Sequence, residues 1–180
     1  MDLPELYRFF ARFVPVEVLR KNHVSGQTPD RGAEQLQHEV LTDPSDERID
    51  SICDYLFLGD QDFVLERLRN SKGQLLFIDS DRIDYQPDAD DGTVISLGIT
   101  VAEHYNRSNA SVVSCLTVQN RCLETLSRLL QVLFRASADG SCTACFSVSS
   151  PYEIRFFDAQ QLNGLIGYTA FFSIAAPSFG

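Results

Sequence analysis

The densest set of side chains able to do chemistry is an acidic run: Asp79, Asp81, Asp84, Asp88, Asp90 and Asp91. Clustered carboxylates suit hard divalent cations, and a calcium loop places them at alternate positions, with Gly sixth and Glu twelfth. Counted from Asp88, the glycine falls fifth (Gly92) and the twelfth residue is Ile99, so the pattern fails. Asp79 and Asp81, two apart on an extended segment, would share one face and could hold a divalent ion. With His104, that pair defines the enzyme-like alternative, a metal-dependent hydrolase or nucleotide-binding enzyme. The plainer reading is a solvated strand end and hairpin tip.

Cys142-Thr-Ala-Cys145 has the spacing of a zinc or redox pair. A structural zinc needs four ligands, and no second pair with a nearby histidine accompanies it. On an extended segment the two thiols would point to opposite faces. A redox pair opens a helix, whose dipole acidifies the thiol, whereas this one follows a helical pattern. Five cysteines, an odd number, read as reduced thiols, with Cys115 and Cys122 in the core. His23, His38 and His104 lie far apart and none accompanies a nucleophile. The glycines of "LNGLIG" lack the strand-to-helix context of a phosphate loop; Asn163-Gly164 reads as a turn. No catalytic residue, cofactor or metal is expected.

The elements that carry these residues follow from periodicity. Leu6, Phe9, Phe10, Phe13 and Val14 predict a short amphipathic helix over 4–14, which Pro15 ends or bends. Residues 22–47 are polar and turn-rich, and read as a long exposed arm with one helical turn near 33–40. Ile49, Ile52, Cys53 and Leu56 share a helical face, and Phe63, Val64, Leu65 and Leu68 predict a further short helix closed by Gly73. Residues 75–85 read as a strand. In 93–105 Ile95, Leu97, Ile99 and Val101 alternate with Ser96, Gly98, Thr100 and Ala102, so an antiparallel hairpin is expected across "PDADDG". The strongest helix spans 108–135, capped by Ser108 or Asn109, with Val112, Leu116, Leu123, Leu126, Leu130 and Leu133 as its stripe. Two strands follow, "CTACFSVSS" and "YTAFFSIAAP", with "YEIRFFD" either a strand or a bend.

The expected fold is α+β: a mainly antiparallel sheet of about four strands on one long helix, with short N-terminal helices and a long polar loop. The 180 residues suit one domain, a helical part over 1–73 and a sheet-plus-helix core over 74–180. The formal charge of −10 argues against a broad grip on nucleic acid, which needs clustered Lys and Arg. No apolar run reaches the length of a membrane helix, and no secretory signal opens the chain.

The ending, "LNGLIGYTAFFSIAAP", is unusually apolar. Tyr168, Ala170, Phe172 and Ile174 alternate with Thr169, Phe171 and Ser173, and Phe171 spoils the polar face of a half-exposed strand. Burying a Phe is worth roughly 1.5–3 kcal/mol, so either a helix covers both faces or one face meets a neighbouring subunit.

The order of strand 75–85, partner 93–105, helix 109–135 and the close "YEIRFFDAQQLNGLIGYTAFFSIAAP" resembles the tail terminator (tail completion) proteins of tailed phages. The resemblance is to a layout and an ending, covering somewhat over half the chain; the helical N-terminal part and the arm depart from it. It implies a non-enzymatic virion protein, made in the bacterial cytoplasm. Copies would form a ring, typically hexameric, at the head–tail junction, contacting tail-tube and neck or connector proteins. Phe171, Tyr168 and Phe157 would then meet a neighbouring subunit, the arm at 22–47 would wrap it, and Asp88, Asp90 and Asp91 would face the channel and repel DNA phosphates. Another neck protein, or a stand-alone bacterial adaptor, is the alternative within non-enzymatic roles.

Overall fold

Apolar residues recurring on one side of each helix, and on both sides of the central strands, build a mixed sheet with its helices on one face. The computed structural model describes residues 3–22, 31–58, 67, 72–85, 93–105, 111–139, 147–148, 153–159 and 164–176, of which 81–85, 93, 139, 159 and 176 are described by backbone alone. Among these, four helices and six strands follow in the order α1 (Leu3–Ala11), α2 (Val16–Asn22), α3 (Arg31–Thr42), β1 (Ile52–Phe57), β2 (Gln74–Tyr85), β3 (Thr93–His104), α4 (Val112–Asp139), β4 (Ser147–Val148), β5 (Glu153–Ala159) and β6 (Leu165–Ala176). The chain is α+β, as its periodicity implied. The sheet, however, has six strands rather than about four, and it is mixed.

The strand order is β1-β2-β3-β6, with β4 and β5 both pairing along the outer side of β6. β1 runs parallel to β2, and every other pair is antiparallel. The hairpin partners β2 and β3 pair as their alternation required; the "PDADDG" turn between them lies outside the described residues. Gly164 takes a positive φ of 78° before β6 and accepts a hydrogen bond from the Tyr105 amide at 2.9 Å, the backbone freedom a turn needs there.

On the front face, Ile95, Leu97, Ile99 and Val101 of β3 join Ile166, Ala170, Phe172 and Ile174 of β6. α4 lies over these strands with Val118, Cys122, Leu126, Leu129, Leu130 and Leu133 buried. The N-terminal helices supply Leu6, Phe9, Phe10, Phe13 and Leu19, packed with Ile52, Tyr55, Leu76 and Ile78 in the same apolar cluster. On the back face, Leu56, Leu75, Ala102 and Leu165 form a smaller cluster, built among the described residues from strands alone.

Two N-terminal expectations are corrected. Where Ile49, Ile52, Cys53 and Leu56 suggested a helical face, residues Ile52–Phe57 form strand β1 and no helix. A register shift between Ile52 and Asp54 places Ile52 and Tyr55 on one face at a three-residue spacing, which imitates helical periodicity. Residues 31–42 of the expected arm form helix α3. It docks on α1 through Leu36, Val40 and Leu41, with Arg8–Glu39 (2.7 Å) and Arg12–Glu47 (3.2 Å) ion pairs alongside. Arg48 donates to the carbonyls of Val14 (2.5 Å) and Asp43 (2.8 Å), fixing the segment that follows. That part of the chain is attached to its own fold and is not a free arm; residues 23–30 lie outside the described set. Pro15 ends α1, and its carbonyl accepts the first hydrogen bonds of α2.

Candidate subunit interface

β6 explains its own apolar ending by being covered unequally. Its front residues lie under α4. On the back face, cross-strand neighbours on β3 and β6 form a ladder of small residues: Ser96 with Ser173, Thr100 with Thr169, and Ala102 with Gly167. The Thr100 and Thr169 hydroxyls are buried and hydrogen-bonded to each other at 2.8 Å. Phe171 stands opposite Gly98 and remains 41% exposed, with the Arg155 guanidinium 5.2 Å from its ring centroid, a cation–π arrangement. Glu153 holds that guanidinium through two hydrogen bonds of 2.8 and 2.7 Å. The pairing lowers the carboxyl pKa of Glu153 and raises that of Arg155.

The three expected interface residues divide between the faces. Phe157 pairs with Gly167 and shares the back face with Phe171, whereas Tyr168 belongs to the front, where Phe156 meets it edge-on at 5.6 Å. The sequence did not single out Ile154 and Phe156. They are 39% and 48% exposed on the front of β5, which pairs only with β6 among the described strands. "YEIRFFD" read as a strand or a bend, and only the absence of a described helix above it exposes these side chains. An edge strand with apolar side chains in the open is a template for association.

A second apolar surface lies at the start of α4. Val112, Val113 and Leu116 are 77%, 71% and 57% exposed, so the first part of the expected helical stripe is not core. The reason is orientation. Arg121 already pairs with Glu103, and the Cys122 thiol contacts the carbonyl of Ile166, at the end of β3 and the start of β6. Ahead of them Val118 is buried, Cys115 packs against the core and the Ser111 carbonyl accepts from the Tyr105 hydroxyl at 3.1 Å, so this end is attached and Val112, Val113 and Leu116 lie on the sides of the helix turned away from the Cys115, Val118 and Cys122 face. Ser111 caps this end by accepting a hydrogen bond from the Ser114 amide at 3.1 Å.

Among the described residues the rival chemistry does not converge. Asp79 pairs with Gly98, and His104 lies six residues further along β3 (98 to 104), roughly 20 Å at the strand rise. The register also shifts between Ser80 and Arg82, and the Asp81 side chain lies outside the described set. Among the described residues no three His, Cys, Asp or Glu side chains group as a metal site. Asp88, Asp90, Asp91, Cys142, Cys145 and His23 lie outside the described set. Cys122 is buried, and burial pushes its thiol up to about 12, so it is a packing residue; Cys115 is half-buried two turns earlier on the same helix. No described helix is long and apolar enough to cross a membrane. The chain matches no known protein family, no curated protein and no solved structure.

Proposed function

We propose that this chain is a non-enzymatic structural subunit that acts by assembling with copies of itself, as a tail terminator or related neck protein at the head–tail junction of a phage-like particle. The observation that carries the reading is the open outer side of the sheet. There β5 presents Ile154 and Phe156 on one face, and Phe171 lies half-exposed on the other. Leaving such side chains wet forfeits about 1 kcal/mol or more apiece, which contact with a neighbouring copy would recover. In this reading the partners are sister copies, the tail tube and the connector. The acidic turn with Asp88, Asp90 and Asp91 would line the channel, and changing all three to Asn would slow genome release.

Native mass spectrometry and multi-angle light scattering, on the chain alone and with tail tubes of the same particle, test the proposal. A closed ring in either arm is expected, typically of six copies. A chain that stays monomeric in both arms sinks it. Flanking genes for capsid and tail-tube proteins would support the particle assignment independently.

A further inference from the structure

Helix α3 is attached to the molecule more thinly than its neighbours. Of its twelve residues Val40 alone is buried, with Leu36 and Leu41 partly so. By contrast α1 buries Leu6, Phe9, Phe10 and Ala11 within nine residues, and α2 buries Val18 and Leu19 within seven. Beside the apolar contacts of α3, ion pairs join it and the turn after it to α1. Arg8 pairs with Glu39 (2.7 Å), and Arg12 with Asp43 (3.9 Å) and Glu47 (3.2 Å). Every side chain in these pairs is about a third exposed or more, so salt screens them and each contributes little. The chain on either side is tied more firmly. Before α3, the Asn22 side chain donates to the Tyr55 carbonyl of the edge strand β1 at 2.7 Å and accepts from Arg67. After it, Arg48 holds the Asp43 and Val14 carbonyls, and the Ile49 amide donates to the Phe13 carbonyl at 2.8 Å.

From this contrast we infer that α3 is a salt-sensitive strap, tethered at both ends, which opens by itself while the sheet and α4 stay folded. The tethers decide how it opens. With Asn22 and Asp43 fixed, α3 cannot depart as an intact arm, so it lifts between them. Once lifted it does not persist as a helix, because twelve residues without tertiary support are marginal in water. Its own side-chain bonds, from Gln35 to Glu39 (2.9 Å) and from Thr42 to the His38 carbonyl (2.8 Å), are exposed and local, and they are lost with it. Opening withdraws Leu36, Val40 and Leu41 from the apolar cluster and leaves Arg8 and Arg12 on α1 without their carboxylates. Segments that change shape in binding or allostery are drawn from this low-stability end of a fold. The device belongs to the single subunit and stands apart from the ring reading.

Hydrogen exchange of the full chain, read by mass spectrometry in about 0.05 M and about 0.5 M NaCl, tests this. Amides of 35–42 are compared with those of 122–133 in α4, each relative to an unstructured chain. In low salt 35–42 should exchange at least about a hundredfold faster than 122–133. High salt should speed 35–42 about threefold or more, the loss expected for such ion pairs, and leave 122–133 unchanged. The variant Arg8→Gln with Arg12→Gln should start from the faster rate and lose the response to salt, with a melting midpoint near the parent's. Exchange of 35–42 as slow as that of α4 would mean that α3 opens only with the whole fold, and the inference falls. It also falls if salt leaves 35–42 unchanged in the parent, or speeds both segments alike. If the arginine variant does not fold, Val40→Ala takes its place. It should speed 35–42 and keep the salt response, and an unaltered rate would overturn the attachment described.

Discussion

Phe171 stands directly opposite Gly98, its ring edge 3.5 Å from the point a Cβ on Gly98 would occupy. A glycine in a strand leaves a gap and weakens the strand, and an aromatic ring laid over it fills that gap. The ring thus has a structural purpose in the free subunit, in addition to the face it leaves exposed.

The same geometry separates two glycines. At Gly98 an added methyl meets the Phe171 ring at ordinary contact distance, so Gly98→Ala should be neutral or stabilising by up to about 1 kcal/mol. At Gly167 the methyl would lie 2.0 Å from the Val101 carbonyl oxygen and 2.6 Å from the Ala102 Cα. Backbone must move, so Gly167→Ala should cost about 2 kcal/mol or more. Urea denaturation of the two variants checks the contrast; equal effects would contradict the register of β3 on β6.

Thr100 and Thr169 supply a second check on that register. Each hydroxyl is buried and finds the other, so Thr100→Val or Thr169→Val alone strands one polar group, at about 1–3 kcal/mol. Changing both removes the unsatisfied partner and should recover much of the loss. A double-mutant cycle by urea melting is expected to give clearly non-additive values; additive ones would mean that the hydroxyls do not meet.

Alkaline pH should loosen the fold through the packing of α1 on β1. Burial raises the Tyr7 phenol from 10.0 to about 12 and moves Tyr55 well above its ordinary value. It raises the Cys122 thiol from 9.0 to about 12. Between the unfolded and folded values the native chain holds protons that the unfolded chain releases. Stability is therefore intact below pH 9 and falls as pH climbs from about 9 toward 12. Tyr7 alone accounts for on the order of 2 kcal/mol across that range. Urea midpoints at pH 8 and 10.5 should differ, and Tyr7→Phe should shrink the difference. A flat profile would mean that these groups are wet.

What could be read beforehand was whatever depends on local period. The alternation of 95–102 and the stripe of Leu126, Leu130 and Leu133 both correspond to elements whose apolar sides are buried. Local period failed at β1, where a register shift mimicked a helix, and at α3, where Val40 alone is buried and the pattern is too thin to announce twelve helical residues. It cannot reveal parallel pairing, which is decided by distant segments. The interface was half legible for the same reason. Phe171 broke a visible alternation, but Ile154 and Phe156 are exposed only because no described helix reaches β5, and Val112, Val113 and Leu116 because the first turns of the helix turn Cys115 and Val118 to the core instead.

The closed edge of β1 can be tested directly. The Asp54 carboxylate accepts from the Tyr55 amide and from Arg67 at 2.6 Å, and Arg67 also donates to Asn22, whose amide serves the Tyr55 carbonyl. Both outward backbone groups of Tyr55 are thus occupied by side chains, which denies a neighbouring strand its hydrogen bonds. Arg67→Met would leave a mostly buried carboxylate without its cation. Because about a third of the Arg67 side chain is exposed, the cost should be nearer 2 kcal/mol than the 3–5 kcal/mol of a fully buried pair. Asp54→Ala should go further and free the Tyr55 amide, raising its hydrogen-exchange rate at least tenfold at pH 7 while amides in the middle of β3 stay protected. If the Tyr55 amide exchanges slowly in that variant, some other group closes the edge. The side-chain closure of this edge would then not rest on Asp54.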